Sequence, residues 1–349
     1  VPKAIRGPGQ FAVMDSVSQI ALGAAVGVAT MGRRTAVWKA ALWGAVAGTL
    51  PDLDVFIDHG NPIRNMVLHR AETHAPFWLT LVSLPLAAAV ARLHGEWAHW
   101  RRWWLALWLA LVTHPLLDTL TVYGTQLALP FSDHPFAVAS VFVIDPLYTL
   151  PLLLGTAWAL AARESHGGLR ANAVGLALSC AYLAWGVAAQ QVATRAASVA
   201  LATQGIAAER VLVMPTAFNS LLWRVVVIAG DDYLEGFHSL LDADPRIDFD
   251  RFPRGNALAS ELQGLEDVRR IQAFSQGFYR VRQDGARLLI SDLRMGQQPT
   301  YIFTFAVATR QSGVVPLAVP LQIAPQFDFQ RALPWLWRRL WGERSAPPR

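Results

Sequence analysis

The 349-residue chain changes character near residue 194. Before that point, long apolar runs alternate with short polar turns; after it, short stretches alternate apolar and charged residues. Long apolar runs suit the interior of a bilayer, whereas alternation suits a fold with one face in water. The pattern predicts a membrane domain over 14–194, an extramembrane domain over 195–330 and a separate tail over 331–349.

Six apolar runs lie in the first part of the chain, at 17–31, 36–51, 76–91, 103–122, 141–162 and 171–193. The last three are long enough to cross a hydrocarbon core of about 30 Å as helices, and the first two are short. We expect about six membrane helices. The predicted fold class is a polytopic α-helical membrane domain with a metal site at its helix ends, followed by a small α+β extramembrane domain.

Basic residues gather in the loops on one side of this expected arrangement. They are Arg33, Arg34, Lys39, Arg92, Arg101, Arg102, Arg163 and Arg170. Basic loops face the cytoplasm, so the opposite loops and the C-terminal domain are expected on the periplasmic side of a bacterial inner membrane, with membrane lipids as partners. Because the basic residues set topology in this way, the net charge of +5 is no sign of nucleic-acid binding, and none is expected.

The second part of the chain reads as a water-exposed fold. Short β-like runs at 211–214, 222–228, 278–281, 287–290 and 301–307 are separated by turn signals, which predicts an antiparallel sheet. The segment 332–341 is rich in Trp and Arg and suits a membrane surface, although a chain terminus can equally be disordered.

Acidic residues and histidines of the first part fall at one predicted membrane face. They are Asp15, Asp52, Asp54, His69, His74, His114 and Asp118. His114 and Asp118 are one helical turn apart, so both side chains project from the same helix face. Carboxylates with imidazoles favour Zn, Mn or Fe over Ca, and the single Cys180 excludes a cysteine-based zinc site. This set predicts one or two divalent ions, with zinc as the first choice.

Each of these residues also has an ordinary interpretation. His114 and Asp118 could form a hydrogen bond within one helix, and Asp52 and Asp54 could flank a loop. Asp15 suits the N-cap of the first helix. The metal hypothesis therefore depends on the convergence of the whole set.

A divalent ion held by such residues supports hydrolysis, because it lowers the pKa of a bound water to about 7 and stabilises charge on a phosphoryl or acyl oxygen. Asp54 and Asp118 are candidate general bases. Arg70, next to His69, could bind a phosphate or balance the carboxylates. The candidate substrate contacts are Arg70, Tyr123, Arg224 and Arg294.

Several longer motifs carry a family resemblance. His69-Arg-Ala-Glu-Thr-His and His114-Pro-Leu-Leu-Asp, the latter followed by Tyr123-Gly-Thr-Gln, are joined by distinctive segments at 14–27, 43–54, 142–151, 215–224 and 291–296. Together they resemble the YdjM-like family of bacterial membrane-bound metal-dependent hydrolases, over nearly the whole chain. That family is grouped with zinc-dependent phospholipase C and single-strand nucleases.

The resemblance implies cleavage of a phosphate ester, on a phospholipid or a lipid-linked substrate, and the same seven ligands. Gln19 and Val28 stand where some members have His and Glu, and Ala71-Glu72 replaces a Gly and an apolar residue, so the first helix has fewer potential ligands. The alternative is a metal-binding membrane protein with a regulatory or interaction role, in which the ion is structural.

Overall fold

The computed structural model describes residues 12–163 and 165–349, with side chains from residue 16 onward. The chain forms two compact units. The helical unit consists of the described residues within Pro8–Ile57 and Leu68–Gly186, and the sheet unit consists of Asp58–Val67 and Val187–Arg349. Each unit has its own hydrophobic core.

The helical unit is built from α-helices joined by short 3₁₀ turns. Its helices are α1 (Ala12–Met31), α2 (Val37–Thr49), α4 (Pro76–Leu93), α5 (Trp100–Thr119), α6 (Pro146–Ala161) and the first half of α7 (His166–Thr203). The 3₁₀ turns are Leu50–Phe56, Glu72–His74 and Trp97–His99, and the short helix α3 (Pro62–Leu68) lies mainly in the sheet unit. Trp103, Leu107 and Leu111 of α5 are fully buried, so α5 forms the centre of the helical core.

Helices α1 and α2 pack backbone to backbone. Gly23 and Gly27 of α1 face Gly44 and Gly48 of α2, and a Cβ atom on Gly44 would overlap the carbonyl oxygen of Gly23. Small residues four apart allow this close approach, as they do between membrane helices. The packing brings the Gly48 carbonyl and the Gln19 side chain to α5, where the first accepts a hydrogen bond from His114 and the second donates to Asp118.

The sheet unit contains two four-stranded antiparallel sheets. The first has the order β1 (Arg210–Pro215), β2 (Leu222–Ala229), β3 (Asp232–Ser239), β4 (Asp250–Pro253). The second has the order β10 (Val314–Gln322), β9 (Thr304–Arg310), β6 (Arg287–Asp292), β5 (Tyr279–Asp284). A small hairpin of β7 (Gly296–Gln297) and β8 (Thr300–Tyr301) and the helices α8 (Asn256–Glu261), α9 (Glu266–Phe274) and α10 (Phe329–Leu340) complete the unit.

The second half of α7 belongs to the core of the sheet unit. Its Ala189, Ala193 and Ala197 are buried against Val213 and Trp223 of the first sheet. A spacing of four residues places the three alanines on one helix face, which lets the helix lie close to the sheet. This part of α7 is therefore packed in protein.

Buried ionic groups lie within and between the two sheets. Arg224 of β2 forms a 2.6 Å ion pair with Glu235 of β3, and Arg280 of β5 donates to the Tyr233 hydroxyl at 3.1 Å. Arg294 forms a buried ion pair with Asp292 at 2.7 Å. The predicted substrate contacts Arg224 and Arg294 thus each have a carboxylate partner inside the sheet unit.

The predicted six membrane spans are wrong. Among the described residues, two helices are long and apolar enough to cross a membrane, Pro76–Leu93 and His166–Thr203. Helix α2 has 13 residues and is therefore only about 20 Å long, α6 has 16 residues, and α5 carries Arg101, Arg102 and the buried Asp118. The structure is a helical N-terminal part followed by a sheet-rich C-terminal part. The periplasmic orientation was inferred from the six-span arrangement and loses that basis.

Candidate metal centre

Four acidic and histidine side chains meet in the helical unit. Asp52 comes from the 3₁₀ turn after α2, His74 from the 3₁₀ turn before α4, and His114 and Asp118 from the last turns of α5. Pro51 is the second residue of the first of these turns, where a helix tolerates a residue without an N–H group. Three of the four residues are buried, and Asp52 is partly exposed.

The facing atoms of these side chains are regularly spaced. The two Nε2 atoms of His74 and His114 are 3.1 Å apart, Asp52 Oδ1 lies 3.4 and 3.3 Å from them, and Asp118 Oδ2 lies 3.3 Å from each. Ligands bound tetrahedrally at about 2.0–2.1 Å from one ion are separated by about 3.3 Å. These five separations match edges of a tetrahedron around one small divalent ion.

The His114 ring is oriented by the backbone of α2. Its Nδ1 atom lies 2.6 Å from the Gly48 carbonyl oxygen. A carbonyl oxygen can only accept, so Nδ1 carries the proton and donates it. In the neutral ring the Nε2 lone pair then points into the cluster, as in histidines that bind metals.

The His74 ring is oriented by a hydroxyl relay. Thr73 Oγ1 donates to Asp54 Oδ2 at 2.7 Å and lies 2.9 Å from His74 Nδ1. Because the hydroxyl proton is committed to the carboxylate, Thr73 can only accept from the imidazole. In the neutral ring the proton of His74 is thus on Nδ1, and its Nε2 atom faces the cluster.

Two nitrogen lone pairs and two carboxylate oxygens thus converge on one point. In addition, the buried Oδ2 atom of Asp118, which faces the two histidines, has no hydrogen-bond donor among the described residues. Buried polar atoms nearly always have a partner, so a cation at the centre would satisfy this atom. Two imidazoles and two carboxylates fit Zn, Mn or Fe, and the residues present are consistent with a bound divalent metal.

A second ring of groups holds Asp118 in place. Its Oδ1 atom accepts from Gln19 Nε2 at 2.9 Å and lies 3.2 Å from Arg70 Nη2. The Arg70 guanidinium also donates to Thr121 at 3.2 Å and lies over the Tyr123 ring, 5.0 Å from its centroid. Gln19 therefore orients the carboxylate of Asp118.

Asp54 shapes the loop that carries His74. It accepts from His69 Nδ1 at 2.7 Å, from the Arg70 backbone N–H at 3.1 Å and from Thr73 Oγ1. Burial alone would raise the pKa of Asp54, but hydrogen bonds from His69 and Thr73 outweigh it and hold the pKa below its usual range. Asp54 is thus an ionised anchor for this loop.

The structure separates the predicted ligands into groups. Asp52, His74, His114 and Asp118 face one another, while Asp54 and His69 pair with each other beside them. The side chain of Asp15 lies outside the described residues.

The sequence interpretation missed two groups that orient the histidines, the Thr73 hydroxyl and the Gly48 carbonyl. Only the position of Thr73 next to His74 could have indicated its role.

Comparisons with known proteins agree with a membrane location. The family model described as "YdjM inner membrane protein" matches residues 14–193, more than half of the chain. The "Uncharacterized protein YfhP" of Bacillus subtilis (strain 168) is 29% identical over 143 residues, which are 38% of this chain and 42% of that protein. The chain thus spans less than half the length of this relative, and no solved structure matches. The chain belongs to the YdjM inner membrane protein family.

Proposed function

We propose that the protein is a membrane-bound metal-dependent hydrolase that cleaves a phosphate ester of a phospholipid or a lipid-linked substrate. The observation that carries the proposal is the quartet of Asp52, His74, His114 and Asp118. Its facing atoms lie at tetrahedral separations, and hydrogen bonds from both histidine Nδ1 atoms direct their lone pairs inward. Membership of an inner membrane family supports a lipid substrate, since lipid esters surround the protein.

The charges of the site favour one ion. Asp52, Asp54 and Asp118 contribute three negative charges and Arg70 one positive charge, while the histidine tautomers are neutral. One divalent ion brings the sum to zero, whereas a second would leave two uncompensated positive charges in a buried site, which is costly. We therefore propose a single ion, with zinc as the first choice.

The ion would supply Lewis acidity to the phosphoryl group and acidify the attacking water. The protein's own groups fix the ligands and move the proton. Asp52 is the most exposed of the four ligands, so its side is the entry side for water and substrate. Its Oδ2 atom, which no described donor contacts, is placed to accept a proton from water as general base. Arg70 and Tyr123 border the same site and are proposed to contact the phosphate.

The test uses the full chain in nanodiscs, stripped with a chelator and reloaded separately with Zn, Mn or Fe. The substrates are a nitrophenyl phosphomonoester, a bis-nitrophenyl phosphodiester, a phospholipid and a nitrophenyl acyl ester. We expect metal-dependent cleavage of a phosphate ester that falls at least about 100-fold in His114→Ala and Asp118→Ala. His134→Ala, which removes an exposed histidine, is the matched control. Equal rates with and without metal, or no phosphate-ester cleavage with any of the metals, would overturn the proposal.

One observation favours a second candidate, a membrane regulatory or interaction protein with a structural ion. All four tetrahedral positions are occupied by protein side chains, which is typical of structural zinc sites, whereas catalytic sites keep a position open. The same experiment separates the two. Bound metal that raises thermal stability but supports none of the four reactions would establish the structural role.

A further inference from the structure

Helix α10 carries an exposed apolar stripe. Phe329, Leu333 and Trp337, together with Trp341 just beyond the helix, are between 48% and 63% exposed. Their spacing of four residues places them along one face. Large aromatic side chains exposed in a contiguous row indicate a binding surface.

The opposite face of α10 is fixed to the sheet unit. Arg339 forms a buried double ion pair with Asp242 at 2.5 and 2.8 Å and donates to the Phe237 carbonyl oxygen at 2.8 Å. Trp335 is buried with its ring 4.9 Å from that of Phe237. Because these contacts hold the helix in one orientation, the stripe is a rigid surface of the unit.

We propose that this stripe docks onto the surface of an anionic bilayer, with α10 lying parallel to the membrane. Trp and Phe side chains favour the headgroup level, where their rings are partly apolar and partly hydrated. Arg331 and Arg338 are exposed on the same helix, and Arg338 lies one turn before Trp341. Their charges complement anionic lipid headgroups. This inference goes beyond the proposed hydrolase and does not depend on it.

The length of helix α7 favours a bilayer as the partner of the stripe. It is continuous over 38 residues and therefore about 57 Å long, whereas a hydrocarbon core is about 30 Å thick. From Ala189 onward, the face that carries Ala189, Ala193 and Ala197 is packed in the core of the sheet unit. The sheet unit is thus continuous in sequence with a candidate membrane span.

The experiment places single cysteines in the full chain, in a Cys180→Ser background, and labels them with the fluorophore NBD. The positions are Leu333 and Trp337 on the stripe and, as the control, Asp284, an exposed residue at the end of β5. The protein is reconstituted in nanodiscs of phosphatidylethanolamine and phosphatidylglycerol, with or without doxyl-labelled lipid. Iodide serves as the aqueous quencher.

We expect doxyl lipid to quench the labels at Leu333 and Trp337 and iodide to quench the label at Asp284. In nanodiscs of phosphatidylcholine alone, and in the Arg331→Gln/Arg338→Gln variant, the docked fraction should fall at least about fivefold. The proposal fails if doxyl lipid quenches all three positions equally, if the docked fraction is independent of lipid charge, or if iodide reaches the stripe freely. It also fails if the stripe is protected from iodide without lipid quenching, since a second copy or another protein then covers it.

Discussion

The Nε2 atoms of His74 and His114 lie 3.1 Å apart, and each ring donates its Nδ1 proton away from the other. Neither nitrogen can donate to the other in these tautomers, so the pair is not a hydrogen bond between histidines. Two lone pairs at this distance repel unless a cation lies between them. The orientation of the rings by Thr73 and Gly48 is therefore as important to the site as the ligands themselves.

The hydroxyl of Thr73 should contribute directly to metal affinity. Thr73→Val keeps the shape of the side chain but removes the acceptor for His74 Nδ1 and the donor to Asp54. We expect metal affinity to fall about 10–100-fold, the usual cost of losing a partner of a metal-binding histidine. Competition titration with a chromogenic chelator measures this.

Thr113→Val is the matched control for that substitution. Thr113 adjoins His114, but its hydroxyl donates to the Leu109 carbonyl oxygen and contacts none of the four ligands. Metal affinity should be unchanged. If Thr73→Val and Thr113→Val bind the ion equally well, the relay does not orient His74.

The close packing of α1 against α2 should be intolerant of a single methyl group. Gly44→Ala would force its Cβ atom into the Gly23 carbonyl oxygen and push the helices apart. Overpacking of this kind costs about 1–3 kcal/mol. We expect the thermal midpoint of the helical circular dichroism signal to fall by about 5–10 °C, with weaker metal binding. Leu42→Ala, which shortens an exposed side chain of α2, should change neither the thermal midpoint nor metal binding. If Gly44→Ala also leaves both unchanged, this description of the packing is wrong.

The Asp242–Arg339 ion pair should hold α10 on the sheet unit. Asp242→Ala leaves the buried Arg339 guanidinium unpaired, which costs about 3 kcal/mol and should raise local opening of α10 about 100-fold. Hydrogen exchange of residues 329–340 measures the opening. Glu343→Ala removes an exposed partner of Arg338 on the same helix and should raise opening less than about fivefold. Equal effects of the two substitutions would exclude this role of Asp242.

The same ion pair predicts how α10 responds to pH. Burial alone would raise the pKa of Asp242, but hydrogen bonds from Arg339 and His238 outweigh it, so the pKa lies below its usual range in the folded state. A lowered pKa means that this stabilisation is complete above the unfolded-state pKa of about 3.9 and is lost as the pH falls further. Protection of α10, corrected for intrinsic exchange rates, should be constant from pH 8 to about pH 5 and decline below about pH 4. If the protection of α10 declines near pH 6 instead, a titratable group other than Asp242 controls it.

Part of the site is predictable from sequence because a helix fixes the relative direction of residues four apart. His114 and Asp118 are such a pair. Asp52 and Asp54 are different, because they lie in a 3₁₀ turn, where residues two apart point in different directions. Asp52 faces the histidines of the quartet and Asp54 faces His69, and their spacing alone gives no reason to choose between them.

For the fold, too, features set by the local sequence could be predicted, and features set by tertiary packing could not. The change to alternating residues near 194 anticipates the sheets that begin with β1. The number of spans was overestimated because Ala-rich and Leu-rich runs look alike in a bilayer and in a protein core. Helix α2 ends at Thr49, just before Pro51, and the run at 103–122 lies in α5, whose Leu107 and Leu111 are buried. Such burial depends on which helices pack together, which hydropathy does not record.

The most direct test of the metal centre is the metal content and coordination of the purified full chain. Elemental analysis should find one divalent ion per chain, and X-ray absorption should find about four N or O ligands at about 2.0–2.1 Å. His114→Ala and Asp118→Ala should lose the ion, while His134→Ala should retain it. If the protein binds no divalent ion after reloading, or if both quartet variants retain the full metal content, the quartet is held together by protons and this account of the site is wrong.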